Sequence, residues 1–376
     1  MMKTIFITGG TGFLGSSLVR RLAREDNRLI LLVRNKALLK RGGLERLLSE
    51  EDGSMPVHSD KIELIEGDIA RTHLGLNAKE YSTLADEVDT VFHCAALTGF
   101  NDREALLRTN FEGTRHVLDF ATALRLKRYH HISSAYVTKK KRSPYCIDAG
   151  NVTGLNNAYE ETKLVGEVLV RKYVSSFQLP ATVYRPSIIV GNSATGYTKC
   201  YKGMYSFAKA LYLVSRTSKY ARNEPFRIFG DGEAAADLVP IDYVADGIMA
   251  LCNDKRSVNK TFNITNPCPP TLHQLKEMMA CTLGMKNPAI VPLTDHVQPG
   301  NSLEKFYLSY TRPYLSYVHN RYIFDSSSTH KLLTGTGITC PIISQELTSL
   351  LIHFAMRNNW GDKVEKKRAG KAFAIE

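Results

Sequence analysis

No stretch of about 18 consecutive apolar residues occurs in the chain, so no membrane-spanning helix is expected. The opening MMKTIFITGG is too short in its apolar part for a signal peptide and passes at once into a glycine pair. Cysteine is sparse: seven residues, Cys94, Cys146, Cys200, Cys252, Cys268, Cys281 and Cys340, odd in number and without a CxxC pair. That pattern argues against a disulfide framework and against a structural zinc site. It fits buried thiols in a reducing, cytoplasmic setting. Zinc fingers and aromatic-basic RNA motifs are missing, which argues against a nucleic-acid reader. Internal repeats and long low-complexity segments are also missing. Acid is in deficit, with 37 Asp and Glu against 49 Lys and Arg and a net charge of +12. The excess is either a solvated basic surface or the footprint of an anionic partner, and charge alone does not choose.

What is present is an ordinary globular composition, 43% hydrophobic and 23% charged over 376 residues. This length suits one large α/β unit with a satellite lobe. The stretches KTIFITGG, RLILLVR, KIELIEGD, VDTVFHCAA, RYHHISSAYV and PATVYRPSIIVG read as strands, and segments of helical spacing lie between most of them. Near-continuous apolar strands alternating with helices imply a doubly wound parallel sheet, covered on both faces. The expected fold is therefore α/β: a Rossmann domain over 1–190, with 227–265 returning to it. A smaller, interleaved C-terminal substrate lobe takes 191–226 and 266–360, and a charged tail follows over 361–376.

The first turn, FITGGTGFLG, sets Gly9, Gly12 and Gly15 at GxxGxxG spacing between a strand and a helix. The first glycine permits a tight turn, the second lets backbone approach a pyrophosphate, and the third lets the helix pack closely. The helix N-terminus adds free N–H groups and a positive dipole for phosphates. The second strand ends in LLVRNK, with Arg34 and Lys36 where an NAD site would carry an acid. A guanidinium suits a 2′-phosphate, so NADP(H) is expected over NAD(H). Arg46 either assists or belongs to a solvated helix face. Asp68, ending the third strand, is expected at the adenine edge. Ala95 and Ala96 end the fourth strand and leave room for a cofactor, while His93 reads as a packed strand-end histidine.

The fifth strand ends in Ser133 and Ser134, and 25 residues after Ser134 comes Tyr159 with Lys163 at i+4 on the same helical face. An ammonium beside a phenol is expected to lower the phenol's pKa, and a serine hydroxyl can hold a substrate oxygen beside it. Together they can move a proton while nicotinamide moves a hydride.

With TGGTGFLG, GDI, HCAA, TNFEGT, ISSAYV, YEETK, YRPSIIVG and LVPIDYVADGI in place, the chain resembles the extended short-chain dehydrogenase/reductase superfamily, the NAD-dependent epimerase/dehydratase-like group, over nearly its whole length. The resemblance implies that Ser134, Tyr159 and Lys163 are catalytic, and that Asn110 supports a proton relay near the lysine. On residue type alone Asn110 reads as a helix cap. It further implies cofactor contacts from Thr8, Gly9, Gly12, Phe13, Leu14, Gly15, Ile69, Cys94, Ala95, Ala96, Tyr159, Lys163, Arg185, Pro186, Ser187 and Ile188. LLVRNK…LERLL, IELIEGDIARTHLGL and RPSIIVGNSATGYT resemble the thioester-reductase and fatty-acyl reductase (male-sterility-type) branch. That branch implies reduction of acyl thioesters, on an acidic carrier protein or coenzyme A, to aldehyde or alcohol with NADPH. The chain lacks the membrane-associated C-terminal region of many fatty-acyl reductases, and adenylation and carrier domains, so a free-standing reductase is expected, and the resemblance implies a monomer or homodimer.

Two other readings stay open: an extended-family enzyme for a sugar nucleotide, sterol or ketone, and a non-catalytic cofactor-sensing or scaffold protein. The first needs basic pyrophosphate ligands in the lobe, for which Arg312 and Arg321 are candidates. The tyrosine-rich segment 305–324 is expected to pack the lobe rather than line an acyl tunnel. The run Lys139–Arg142 is expected in a loop across the site mouth, solvated or receiving an acidic carrier.

Overall fold

In the computed structural model of the chain, the described residues are 2–37, 42–49, 59–100, 102–123, 126–138, 154–217, 219, 225–286, 288–292, 294, 297–319 and 321–362. Among them run β1 (Lys3–Thr8), β2 (Asn27–Val33), β3 (Ile62–Glu66), β4 (Thr90–His93), β5 (Arg128–Ile132), β6 (Ala181–Pro186), β7 (Ile188–Val190), β8 (Arg227–Phe229), β9 (Leu238–Pro240), β10 (Thr261–Ile264) and β11 (Ala289–Val291). Seven of these make one all-parallel sheet in the order β10-β6-β5-β4-β1-β2-β3.

Alternation of side chains along each strand explains why both faces of this sheet are dry. Ile5, Ile7, Leu29 and Leu31 point to one side. There they pack with Leu18 and Leu22 of the helix Phe13–Leu22, and with Val244 and Ile248 of the helix Ile241–Asn253. Phe6, Ile30, Leu32 and Val91 point to the other. They meet Val117 and Phe120 of the helix Gly113–Ala123, and Val170 of the helix Ala158–Phe177. The chain winds outward from β1 in both directions, so the crevice lies at the carboxyl ends of β1 and β4, where the strand order reverses.

The run expected as a sixth strand divides at Ser187. β6 stays in the large sheet, whereas β7 pairs with β9. β8 pairs with β11 and belongs to the lobe, so the chain rejoins the large domain later than residue 227, through β9, the helix Ile241–Asn253 and β10. The helix Ser327–Leu333 also returns, setting Leu333 in the core of the large domain. A third core holds the lobe together. It joins the helices Met204–Ser215, Leu272–Thr282, Ser302–Thr311 and Gln345–Arg357 through residues such as Leu211, Leu275, Tyr307 and Leu351. No helix among the described residues is long and apolar enough to cross a membrane. The run Lys139–Arg142, Cys146 and the tail beyond 362 lie outside the described residues.

Candidate active site

The glycine turn is built on contacts that no side chain permits. Gly9 has φ +70°, and a Cβ there would lie 2.5 Å from the backbone nitrogen of Ala95, after β4. A Cβ on Gly15 would lie 2.1 Å from the carbonyl oxygen of Gly9, so the third glycine packs the helix onto the turn itself. Gly12 precedes the helix Phe13–Leu22 and places no capping side chain over it. The first N–H groups of that helix are left for a ligand, and Gly9, Gly12, Phe13, Leu14 and Gly15 line one end of a cavity of about 680 Å³. This cradle fits the pyrophosphate of a dinucleotide.

The same cavity is lined by Ser133, Ser134, Tyr159 and Lys163. Tyr159 and Lys163 sit near the start of the helix Ala158–Phe177, which Asn157 caps by accepting from the Glu160 N–H at 3.0 Å. Ser134 Oγ is hydrogen-bonded with the Tyr159 hydroxyl and accepts from the Tyr136 N–H at 3.3 Å. Ser133 is committed elsewhere, donating to Glu167 at 2.9 Å. Lys163 Nζ donates to the Ile132 carbonyl at 2.5 Å. Burial lowers the Lys163 pKa to about 8, although Glu167 opposes the shift. Burial, and then the Glu160 charge, push the Tyr159 phenol up to about 12, against the hydrogen bond from Ser134. The expected lowering of this phenol by Lys163 is therefore outweighed: desolvation dominates, and the ammonium is held at a backbone carbonyl.

Asn110 is not a cap. It lies at a π-helical turn, Leu107–Glu112, between the helices Arg103–Leu106 and Gly113–Ala123. Its side chain grips the loop after β4, accepting from the Leu97 N–H at 2.8 Å and donating to the Leu97 carbonyl at 3.0 Å and Thr162 Oγ1 at 3.1 Å. It does not line the cavity. His93 is packed, as its strand-end position suggests, and burial lowers its pKa to about 3. Its ring bridges Thr8 Oγ1 at 2.7 Å and Thr114 Oγ1 at 3.0 Å. Thr8 thus lies beneath the turn rather than on the cavity wall.

Of the other expected cofactor contacts, Cys94, Ala96, Pro186, Ser187 and Ile188 line the cavity, and Ala95 contributes the backbone against Gly9. Arg185 does not. It is 1% exposed and clamps Glu167 through two bonds of 2.9 and 2.6 Å. An uncompensated guanidinium in this core would be far costlier than the pair, so Arg185 is structural. Ile69 is buried, filling the space beside Gly113. The Asp68 carboxylate accepts from the Ala70 N–H at 2.9 Å. Arg34 is exposed just past β2, and the Lys36 backbone N–H donates to Glu66, from the end of β3, at 3.2 Å. The Arg46 side chain lies outside the described residues.

The far end of the cavity belongs to the lobe, and sequence reading missed its residues. Tyr307, Tyr314 and Tyr317 line it, which corrects the expectation that the tyrosine-rich segment only packs. Phe100 faces the rings of Tyr159, Tyr314 and Tyr317, with centroids 5.5–6.3 Å away. Arg312 and Arg321 do not line the cavity, and Arg321 pairs with Asp231 at 2.7 Å. The legible signal for this wall is helical spacing: Leu272, Leu275 and Met279 share one apolar face.

A family model described as "Male sterility protein", an NAD-binding family, matches residues 7–248. The chain belongs to this family. Its relatives are set in longer proteins. A component of the linear gramicidin synthase of Brevibacillus parabrevis is 25% identical over 94% of this chain, which spans only 7% of that protein. Fatty acyl-CoA reductase wat of Drosophila melanogaster is 25% identical over 71% of the chain, matching 57% of its own length. In three dimensions, the terminal R domain of the myxalamid PKS-NRPS pathway superposes with a TM-score of 0.79 at 26% identity, covering 96% of this chain and 92% of that one. The family, with its glycine turn and nicotinamide cofactor, is one of NAD(P)-dependent oxidoreductases of the extended short-chain type, and related reductases act on acyl thioesters.

Proposed function

We propose that this protein is an NADPH-dependent reductase of an acyl thioester, carried on a carrier protein or on coenzyme A, yielding an aldehyde or, after a second round, an alcohol. The observation that carries this reading is a single cavity joining three parts: the glycine turn, the Ser134–Tyr159–Lys163 set and an apolar, tyrosine-lined arm. A bound nicotinamide would supply hydride to the thioester carbonyl carbon. The turn from Gly9 to Gly15 and Lys163 would hold that cofactor, with Arg34 toward its 2′-phosphate.

The chain's own part is proton management. Tyr159, with its pKa pushed up to about 12, keeps its proton at working pH, which suits a general acid in the reductive direction. It donates to the carbonyl oxygen as negative charge develops there, and Ser134 donates a second hydrogen bond to the same oxygen. Lys163, still largely charged near neutrality, biases the field toward the oxyanion. Collapse of the hemithioacetal then releases thiol and aldehyde. Asn110 fixes the loop after β4 against the helix that carries Thr162 and Lys163, a positioning role.

The test is NADPH oxidation with a panel of acyl-coenzyme A and acyl-carrier thioesters, against ketones and sugar nucleotides. Turnover is expected on thioesters. Turnover on ketones or sugar nucleotides alone would remove the reading.

A further inference from the structure

The apolar arm of the cavity carries a lysine on an otherwise apolar helical face. On the helix Leu272–Thr282, the face made by residues 272, 275, 276 and 279 lines the arm at i, i+3, i+4, i+7 spacing. Three of the four are Leu272, Leu275 and Met279. The fourth is Lys276, which is 6% exposed. Among the described residues its ammonium has no hydrogen-bond or ion-pair partner, and burial lowers its pKa, opposed by the charge of its exposed neighbour Glu277.

No Asp or Glu is among the described residues lining the cavity, while Lys163, Lys199, Lys202 and Lys276 all do. Lys163 is occupied by the Ile132 carbonyl and Lys202 by Thr98. The Lys276 ammonium is not among the described buried polar atoms that lack a partner, so it reaches open space on the cavity lining, and a charge set into an otherwise apolar helical face breaks the pattern that packing alone would select. Such a position makes sense when a ligand brings the partner.

We propose that Lys276 is the counter-ion for a carboxylate at the far end of the acyl chain, so that the preferred substrate is the monothioester of a dicarboxylic acid. This rests on the acyl-thioester reading above. The walls around Lys276 suit the intervening hydrocarbon. A phosphate dianion from a pantetheine arm would demand several donors at one point, and the face of the helix Leu272–Thr282 on the cavity offers one ammonium.

The experiment compares kcat/KM for N-acetylcysteamine thioesters of equal chain length ending in methyl or in carboxylate, in the wild-type protein and in Lys276→Met. These thioesters carry no phosphate. The wild type is expected to favour the carboxylate end roughly ten- to hundredfold, as for a charge-assisted hydrogen bond. Lys276→Met should erase or invert that ratio, and Lys276→Arg should keep part of it. Removing a charge from an apolar face should leave the melting temperature unchanged or raised, which separates the effect from misfolding.

A wild-type preference for the methyl end, or an unchanged ratio in Lys276→Met, overturns the proposal. An effect of the variant on coenzyme A thioesters alone would assign the lysine to a phosphate and overturn it equally. Absence of any thioester turnover by the wild type would instead fail the parent reading. In that case calorimetry with a linear dicarboxylate still tests Lys276: binding weakened about tenfold or more in Lys276→Met supports the site, and equal binding or none overturns it.

Discussion

The two ends of the cavity are made in opposite ways. At the nucleotide end, backbone does the work: glycines permit an approach so close that an added Cβ would lie 2.5 or 2.1 Å from backbone atoms, and buried polar groups such as Thr8, His93, Glu167 and Arg185 are bonded in pairs. At the lobe end, side chains do the work. Aromatic and aliphatic walls surround a lysine held by no acid. The nucleotide end is therefore specified by geometry that tolerates almost no substitution. The lobe end is specified by size and charge, which substitution can retune.

Predictions that test this contrast run from chemistry outward. Tyr159→Phe is expected to lower kcat about a hundredfold or more with the melting temperature preserved, since the general acid is lost and the ring is not. An unchanged rate in single-turnover assays would take that role from Tyr159. Glu167→Gln is expected to destabilise the fold by about 3–5 kcal/mol in denaturant titration, because it leaves Arg185 charged and buried. Arg34→Ala should raise KM for NADPH about tenfold or more while leaving KM for NADH nearly still, and equal shifts would disprove the 2′-phosphate assignment.

The pH profile gives a smaller, signed effect. With a pKa near 8, Lys163 loses its charge as pH rises through about 8, so kcat/KM of the free enzyme should fall above that point. Stability moves the other way. The unfolded chain holds the lysine's proton up to about 10.5, so between about 8 and 10.5 this group favours folding increasingly as pH rises. A profile flat to pH 10 would remove Lys163 from the rate. Tyr317→Phe should produce the least change, a few-fold shift in acyl KM with cofactor affinity intact; a larger change in the cofactor than in the acyl group would break the division of the cavity into two ends.

Much of the nucleotide end is readable from sequence because its signals are local. Apolar runs, glycine spacing, Ser133–Ser134 and the Tyr159–Lys163 pair each sit within one strand or one helix turn. Arg185 misleads because its partner Glu167 lies 18 residues earlier on another element, and a strand-end arginine looks the same whether it serves a phosphate or a carboxylate. Asn110 looks like a cap because a residue type does not reveal a π turn. The lobe is least legible. Its strands are three residues long, and β8 meets β11 across more than 60 residues, so neither period nor propensity announces them. Lys276 is hidden for a related reason: it is anomalous only once the helix face it occupies is known to be a wall.

The π turn at Asn110 also changes what kind of mutation this region can absorb. A helix with one such turn carries a residue more than an uninterrupted α-helix spanning the same rise, and each residue of α-helix turns the chain by about 100°. Substitutions at Leu107–Glu112 would alter single contacts. Deleting one residue there would let the turn anneal to α-helix and rotate everything on one side of it against the other. Thr114 would swing away from His93 and Gly113 from Ile69, and the floor beneath the glycine turn would come apart from a site that no cofactor touches. In this segment the count of residues, more than their identity, is the inherited information.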